Sequence, residues 1–334
     1  MPHVAGAGQT WLNHRFANAD VSGGQQYEDH FNPVDAFPFS SAETTHHLTG
    51  RRDSILKRPE TDPLVIHTQT STEYWSGAGR SPTPIRAPTI CHSRWACGST
   101  CGQARNILPT RRPKSRSVGF VRISSIRRHL DAISRHDRRN GRLGDDGCGT
   151  PESRIPRRAD GILVTEEWRR EFPQIPGVAT PRAPSALPLL DFEPQAEIGI
   201  LKAPDIGPGG GYTIFVPAVD EDGNDRAGVR APMVAAPLGT YCGWNLRARG
   251  FGYGAMHEFS GSYIPLPETP EERRTTDDPR RSILRRYSDA QSYVAAIMAV
   301  ARQLVEQGLM LEEDVERAAA AAADWGRPRH DVRL

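Results

Sequence analysis

A chain of 334 residues is long enough for one large domain or two modest ones, and its 37% hydrophobic share sits at the low end for a globular protein. A formal charge of +2 gives the whole molecule no electrostatic pull towards nucleic acid or an anionic membrane, and no apolar run reaches the ~20 residues that span a bilayer. Five cysteines, three of them between Cys91 and Cys101, do not make the even, dispersed pattern of a disulfide framework.

In chain order, "MPHVAGAGQTWLNHRF" lacks the basic region and apolar core of a secretory signal. Its "HVAGAG" reads as the glycine-ended close of a strand. "LTGRRDSILKRPE" predicts a short helix around Asp53–Lys57, stopped by Pro59. In "PLVIHTQT", Leu64, Val65 and Ile66 form a continuous apolar run, the pattern of a parallel strand covered on both faces. The polar residues that follow put Glu73 on the loop beyond that strand's carboxyl end, the edge at which open α/β sheets gather ligands.

Residues 76–150 change character. From Arg105 to Arg142 basic residues outnumber acidic ones about sixfold, and no period of 3.6 or 2 persists. From Pro151 the ordinary pattern returns. "GYTIFVP" and "GVRAPMVAAP" read as strands joined through "AVDEDGNDRA", a β-hairpin over about 211–238. "YSDAQSYVAAIMAVARQLVEQG" reads as a helix, with Ser288 and Gln291 as its capping box and Gly308 as its C-cap. Tyr293, Val294, Ile297, Met298, Ala301, Leu304 and Val305 form its apolar stripe. "LEEDVERAAAAAADW" reads as a second helix with acids in its first turn, the pair covering about 288–325.

Several constellations invite a site and fail on spacing. Cys91, His92, Cys97 and Cys101 crowd four possible zinc ligands into eleven residues, whereas structural zinc sites pair close ligands across a longer span. The Arg-rich run offers charge for phosphates, but Phe120 is its single aromatic platform for bases. "DEDGND" (Asp220–Asp225) has glycine at its fourth position where a calcium loop needs it at the sixth, so a turn is expected. "GPGGG" (Gly207–Gly211) lacks the Lys-Ser/Thr of a phosphate loop and reads as a flexible lead into a strand. Glu73 has the placement of a hydrolase triad acid, yet no G-x-S-x-G elbow occurs in these residues.

The segments "MPHVAGAGQTWLNHRFA", "HTQTSTEYW", "PESRIP", "YTIFVPAVDEDGNDRAGVRAPMVAAPLGTYCGWNLR", "GSYIPLPETPEERR" and "DDPRRSILRRYSDAQSYV" resemble a bacterial family of α/β-hydrolase-domain proteins. The resemblance implies a partial α/β-hydrolase fold: the C-terminal part of a parallel sheet, with the hairpin and the C-terminal helices. It implies hydrolysis of a carboxylic ester by a Ser-His-Glu triad, with Glu73 as the acid, no metal or organic cofactor, and a small-molecule ester as substrate. The implied order is serine elbow, "HVAGA" strand, "TEYW" acid, then a histidine in a "TQH"-like loop. The elbow is accordingly expected before Met1, and the histidine loop within residues 76–150, where the sequence has none.

A shifted reading frame accounts for that absence. Read one base earlier from Arg80, with free codon choice, the stretch admits "GVRIYLW" followed by "TQH". The opening glycine is forced, because Trp95 is followed by an alanine codon. The expected organisation is thus a partial hydrolase core over 1–75, a frameshifted, disordered Arg/Cys-rich segment over 76–150, and a C-terminal part over 151–334. Such a chain is expected to be an inactive fragment that binds neither nucleic acid nor membrane. Two competing readings are a binding protein whose Arg/Cys-rich insert contacts RNA or zinc, and a scaffold that keeps the hairpin and helices as an interaction surface.

Overall fold

The structure is a computed structural model that describes residues 43–46, 50–58, 60–62, 65–69, 71, 75, 93–99, 154, 156, 158–165, 168–181, 188–191, 205–211, 215–247, 253–254 and 261–323. The described chain opens with strands β1 (Thr44–Thr45), β2 (Arg52–Asp53), β3 (Val65–Gln69), β4 (Ser93–Ser99) and β5 (Leu163–Val164). Helix α1 (Trp168–Glu171) is followed by β6 (Pro188–Asp191), β7 (Asp205–Gly211), β8 (Val216–Pro217) and β9 (Val229–Arg230). Helix α2 (Pro232–Ala235), β10 (Gly239–Cys242) and β11 (Ser262–Pro265) come next. Four helices close the series: α3 (Pro270–Thr275), α4 (Ile283–Arg286), α5 (Ala290–Glu306) and α6 (Glu313–Ala323).

The helix expected around Asp53–Lys57 does not form. Asp53 ends the antiparallel β1–β2 pair, and its side chain accepts the Ser54 N–H at 2.8 Å while the Ser54 hydroxyl donates to the Leu56 carbonyl at 2.6 Å. Short polar side chains that bond to nearby backbone in this way compete with the helix. The strand expected at "PLVIHTQT" is β3. It runs parallel to β4, with Val65 opposite Ser93 and Gln69 opposite Cys97, and β4 runs parallel to β9 at Gly98 and Val229. β4 therefore lies inside the stretch expected to be out of frame.

The hairpin expected over about 211–238 closes only at its tip. Val219 and Asp225 bridge antiparallel, and the Arg226 N–H donates to the Ala218 carbonyl at 2.9 Å. The flanks part: β8 pairs antiparallel with β5, and β9 goes to β4. Pro217 has no N–H for a ladder, and Pro232 opens α2 at a position where its fixed φ suits a helix, so the second run turns helical. "GPGGG" is also more than a flexible lead. It is the end of β7, paired antiparallel with β6 with an irregular register between Pro188 and Leu190, as suits a strand whose Pro208 cannot donate.

The C-terminal helices follow the sequence closely. On α5, Tyr293, Ile297, Ala301 and Leu304 are buried and Val294, Met298 and Val305 half-buried. Its capping box stands one residue later than expected: the Asp289 carboxylate accepts the Ser292 N–H at 2.7 Å, and the Ser292 hydroxyl accepts the Asp289 N–H at 3.2 Å. A carboxylate at this end also meets the positive pole of the helix dipole. Gly308, at φ 67°, ends the helix with its N–H on the Val305 carbonyl, and the Leu309 N–H bonds the Leu304 carbonyl at 2.8 Å. That pair of bonds is a Schellman stop, and Leu304 and Leu309 complete it by packing in one apolar cluster with Ala301 and Val315.

Candidate functional site

The polar side chains that the fold brings together most densely belong to "DEDGND", which the sequence presents as a turn. Asp222, Asn224 and Asp225 are all buried. The Asp220 carboxylate accepts the N–H groups of Asp222 and Asn224, both at 3.0 Å, which wraps the backbone around it. Gly223 sits at φ 81°, and a Cβ there would meet Thr240 Cγ2 at 2.9 Å and Phe172 Cε2 at 3.0 Å. Glycine is thus required twice over, by its dihedral and by the close approach of β10 and the segment after α1.

The three aspartates of the loop each reach a partner outside it, Asp222 and Asp225 across 64 and 154 residues. Asp220 pairs with Arg230 at 2.6 Å, and the same guanidinium donates to the Val234 carbonyl at 3.0 Å. Asp222 pairs with Arg286; burial raises its carboxyl above the usual range, and the guanidinium opposes that rise. Tyr287, beside that pair, has its phenol pushed up to about 12, by burial first. Asn224 is wholly buried: its amide donates to the Gly239 carbonyl at 3.3 Å and accepts the Tyr241 N–H at 2.7 Å. Behind it, Arg280 pairs with Asp278 at 2.6 Å and donates to Thr240 Oγ1 at 2.8 Å, to the Ile264 carbonyl at 3.0 Å and to the Pro265 carbonyl at 2.8 Å. A buried guanidinium is tolerable only when so fully partnered.

Asp225 faces the other way. Its carboxylate accepts the Ser71 hydroxyl at 2.6 Å across 154 residues of sequence, and both side chains are buried. Burial, before any other cause, pushes the Asp225 carboxyl up to about 6, with Asp220 adding to the rise and Ser71 and Arg230 opposing it. Gly243 lets the two segments close: a Cβ there would stand 2.5 Å from Trp75 Cδ1 and 2.6 Å from the Ser71 carbonyl oxygen. Trp75 completes the contact, meeting Trp168 edge-on at 5.1 Å and Trp244 at 6.2 Å, with Phe172 5.7 Å from Trp244.

Glu73, the sequence's candidate acid, lies outside the described residues, although Ser71 and Trp75 on either side are described and buried. Cys91, His92, Cys101 and the Arg-rich run also lie outside them, and Cys97 is described only by its backbone in β4. Among the described residues no group of three or more His, Cys, Asp or Glu is placed to hold a metal ion, and no helix is long and apolar enough to cross a membrane. Ser71 gives its hydroxyl to a carboxylate and not to an imidazole, so the Ser71–Asp225 pair is a structural tie and not a nucleophile with its base. Sequence reasoning missed Ser71, Asp225 and the guanidinium partners. The available signal was charge balance: an acidic loop with few local cations, and a later "DDPRRSILRR" rich in them.

Residues 177–320 match a family model described as an alpha/beta hydrolase domain. The match takes in the whole acidic loop, Arg280 and Arg286, Gly243 and Trp244, and the α5–α6 pair as far as residue 320. Searches of curated proteins and of solved structures return no match.

Proposed function

We propose that this hydrolase-type domain serves carboxylic ester hydrolysis through a Ser-His-Glu triad, that Glu73 is its acid, and that the 334 residues as they stand do not turn over an ester. In that chemistry a serine attacks the ester carbonyl, and a histidine takes its proton and returns it to the leaving alcohol. Glu73 fixes the imidazole's orientation and stabilises its charge. Backbone N–H groups near the elbow hold the oxyanion. The substrate class is a small-molecule ester, and no metal or organic cofactor takes part.

The observation that carries the reading is the contact that Ser71 and Trp75 make with the matched domain. Ser71 and Trp75, two positions before and after Glu73, pack against Asp225, Gly243 and Trp244, all within 177–320. Two described residues close to Glu73 in sequence are therefore in contact with the part of the chain that matches the hydrolase family, which supports placing the acid in the same domain. Inactivity follows from composition: neither a G-x-S-x-G elbow nor a "TQH"-like loop occurs in the sequence. Loss of such triad members lowers rates by on the order of 10⁴–10⁶. Treating the purified chain with a fluorophosphonate probe and a p-nitrophenyl ester should give neither labelling nor turnover above a mock preparation. Stoichiometric labelling of one serine with matching turnover would overturn the inactive reading.

Residues 76–150 are, on the same reading, translated out of frame, and the coding DNA tests this without protein. Read one base earlier from the codon for Arg80, it should stay open through an apolar strand and reach a histidine codon straddling those of Asn106 and Ile107. A stop codon before that point, or no histidine there, rules the shift out.

A further inference from the structure

We propose that Ser71 and Asp225 form an acid-closed clasp, a buried hydrogen bond that pins Ser71 onto the acidic loop in acidic solution and loosens as the solution approaches neutrality. The clasp is a matter of geometry first. The Ser71 hydroxyl and the Asp225 carboxylate meet at 2.6 Å, with only 8% and 7% of the two residues exposed. Gly243 leaves no room beside Ser71 and Trp75 for even a methyl group, so the contact is close on both residues.

The charges that face Asp225 among the described residues are few. Asp220 comes from its own loop and Arg230 from β9, and Arg230 is already bound to Asp220. Asp222, earlier in the loop, and Arg286, at the end of α4, close on each other. From the Ser71–Trp75 side the described partner is a hydroxyl, with no charge of its own. A neutral Asp225 carboxyl can keep its bond to Ser71 at no solvation cost. An ionised one is held almost dry, with a hydroxyl and a shared guanidinium as compensation, and water becomes the better solvent for it.

The direction of the effect follows from linkage. Burial raises the Asp225 carboxyl from 3.8 to about 6, so the closed form binds the proton more tightly than an open, solvated form. Closure is therefore most favoured below the solvated value, and it weakens as pH rises towards about 6, with no further loss above. The clasp stands on this geometry whether or not the domain ever hydrolyses an ester.

Amide hydrogen exchange on the full chain, corrected for intrinsic rates, tests the proposal through a peptide spanning Ser71–Trp75. Protection in that peptide should be about tenfold greater at pH 5 than at pH 8, the ratio given by a carboxyl whose value moves from about 6 closed to 3.8 open. Asp225→Asn keeps an acceptor for Ser71 and removes the ionisation, so its protection should be flat with pH and no lower at pH 8 than the unaltered chain's. Equal protection of the unaltered chain at the two pH values overturns the clasp, as does a pH dependence that survives Asp225→Asn. Should that variant not fold, carbon-13 titration of the Asp225 carboxyl in the unaltered chain decides: titration near 6 supports the clasp, and titration in the ordinary aspartate range refutes it.

Discussion

The acidic loop at Asp220–Asp225 and the helix pair α5–α6 are both well buried, yet they are held by opposite means. The helices bury one apolar stripe, and their polar ends are satisfied within a turn, by Asp289 and Ser292 at one end of α5 and by Gly308 at the other. The loop buries carboxylates and an amide, and nearly all its partners come from elsewhere in the chain: Ser71, Gly239, Tyr241 and Arg286. Local burial of apolar surface is forgiving, because a smaller side chain loses only its own contacts and leaves a cavity. A buried polar network is not, because removing one member strands another.

That contrast sets the order of expected effects. Arg280→Met should be the most damaging single change, at about 3–5 kcal/mol, because it leaves Asp278 buried without its cation and strips donors from the Thr240 hydroxyl and two carbonyls. Urea unfolding would measure it, and a loss below about 1 kcal/mol would show that the network is looser than its geometry. Ile297→Ala on α5 should cost about 2–4 kcal/mol by cavity formation alone, with the midpoint falling and the denaturant slope unchanged. Asp289→Ala should have the smallest effect of the three, through the lost cap, and that effect should fade in strong acid. The sign there is opposite to the loop's. Backbone bonding from Ser292 holds the Asp289 carboxyl below its usual value, so its contribution is present above about 3.8 and is lost as pH falls through the lowered value. Asp222 and Asp225, both raised, favour the folded loop in mild acid.

The same contrast explains what could be read from the sequence. The α5 stripe from Tyr293 to Val305 and the Gly308 stop were legible because their stabilisation repeats along a few turns of chain. The capping box was misplaced by one residue, since Ser288 and Asp289 both offer an acceptor and only the helix start decides between them. β3 was legible as a continuous apolar run. The hairpin was not, because its turn chemistry is correct at Asp220–Asp225 while the pairing of its flanks is decided by β4 and β5. The Ser71–Asp225 bond could not be foreseen: neither residue carries a periodic signal, and 154 residues separate them. The candidate acid Glu73 came from placement after β3 and from family resemblance, and the structure adds the tie on its neighbours.

A double-mutant cycle on the Ser71–Asp225 pair measures whether the two side chains act together across the contact. Ser71→Ala, Asp225→Ala and the double variant would be compared by urea unfolding of the full chain at pH 5, where the clasp is closed. A buried hydrogen bond to the neutral carboxyl predicts a coupling of about 1 kcal/mol between the two positions. Additivity to within about 0.3 kcal/mol would mean that Ser71 and Asp225 do not act as a pair, and would contradict the tie.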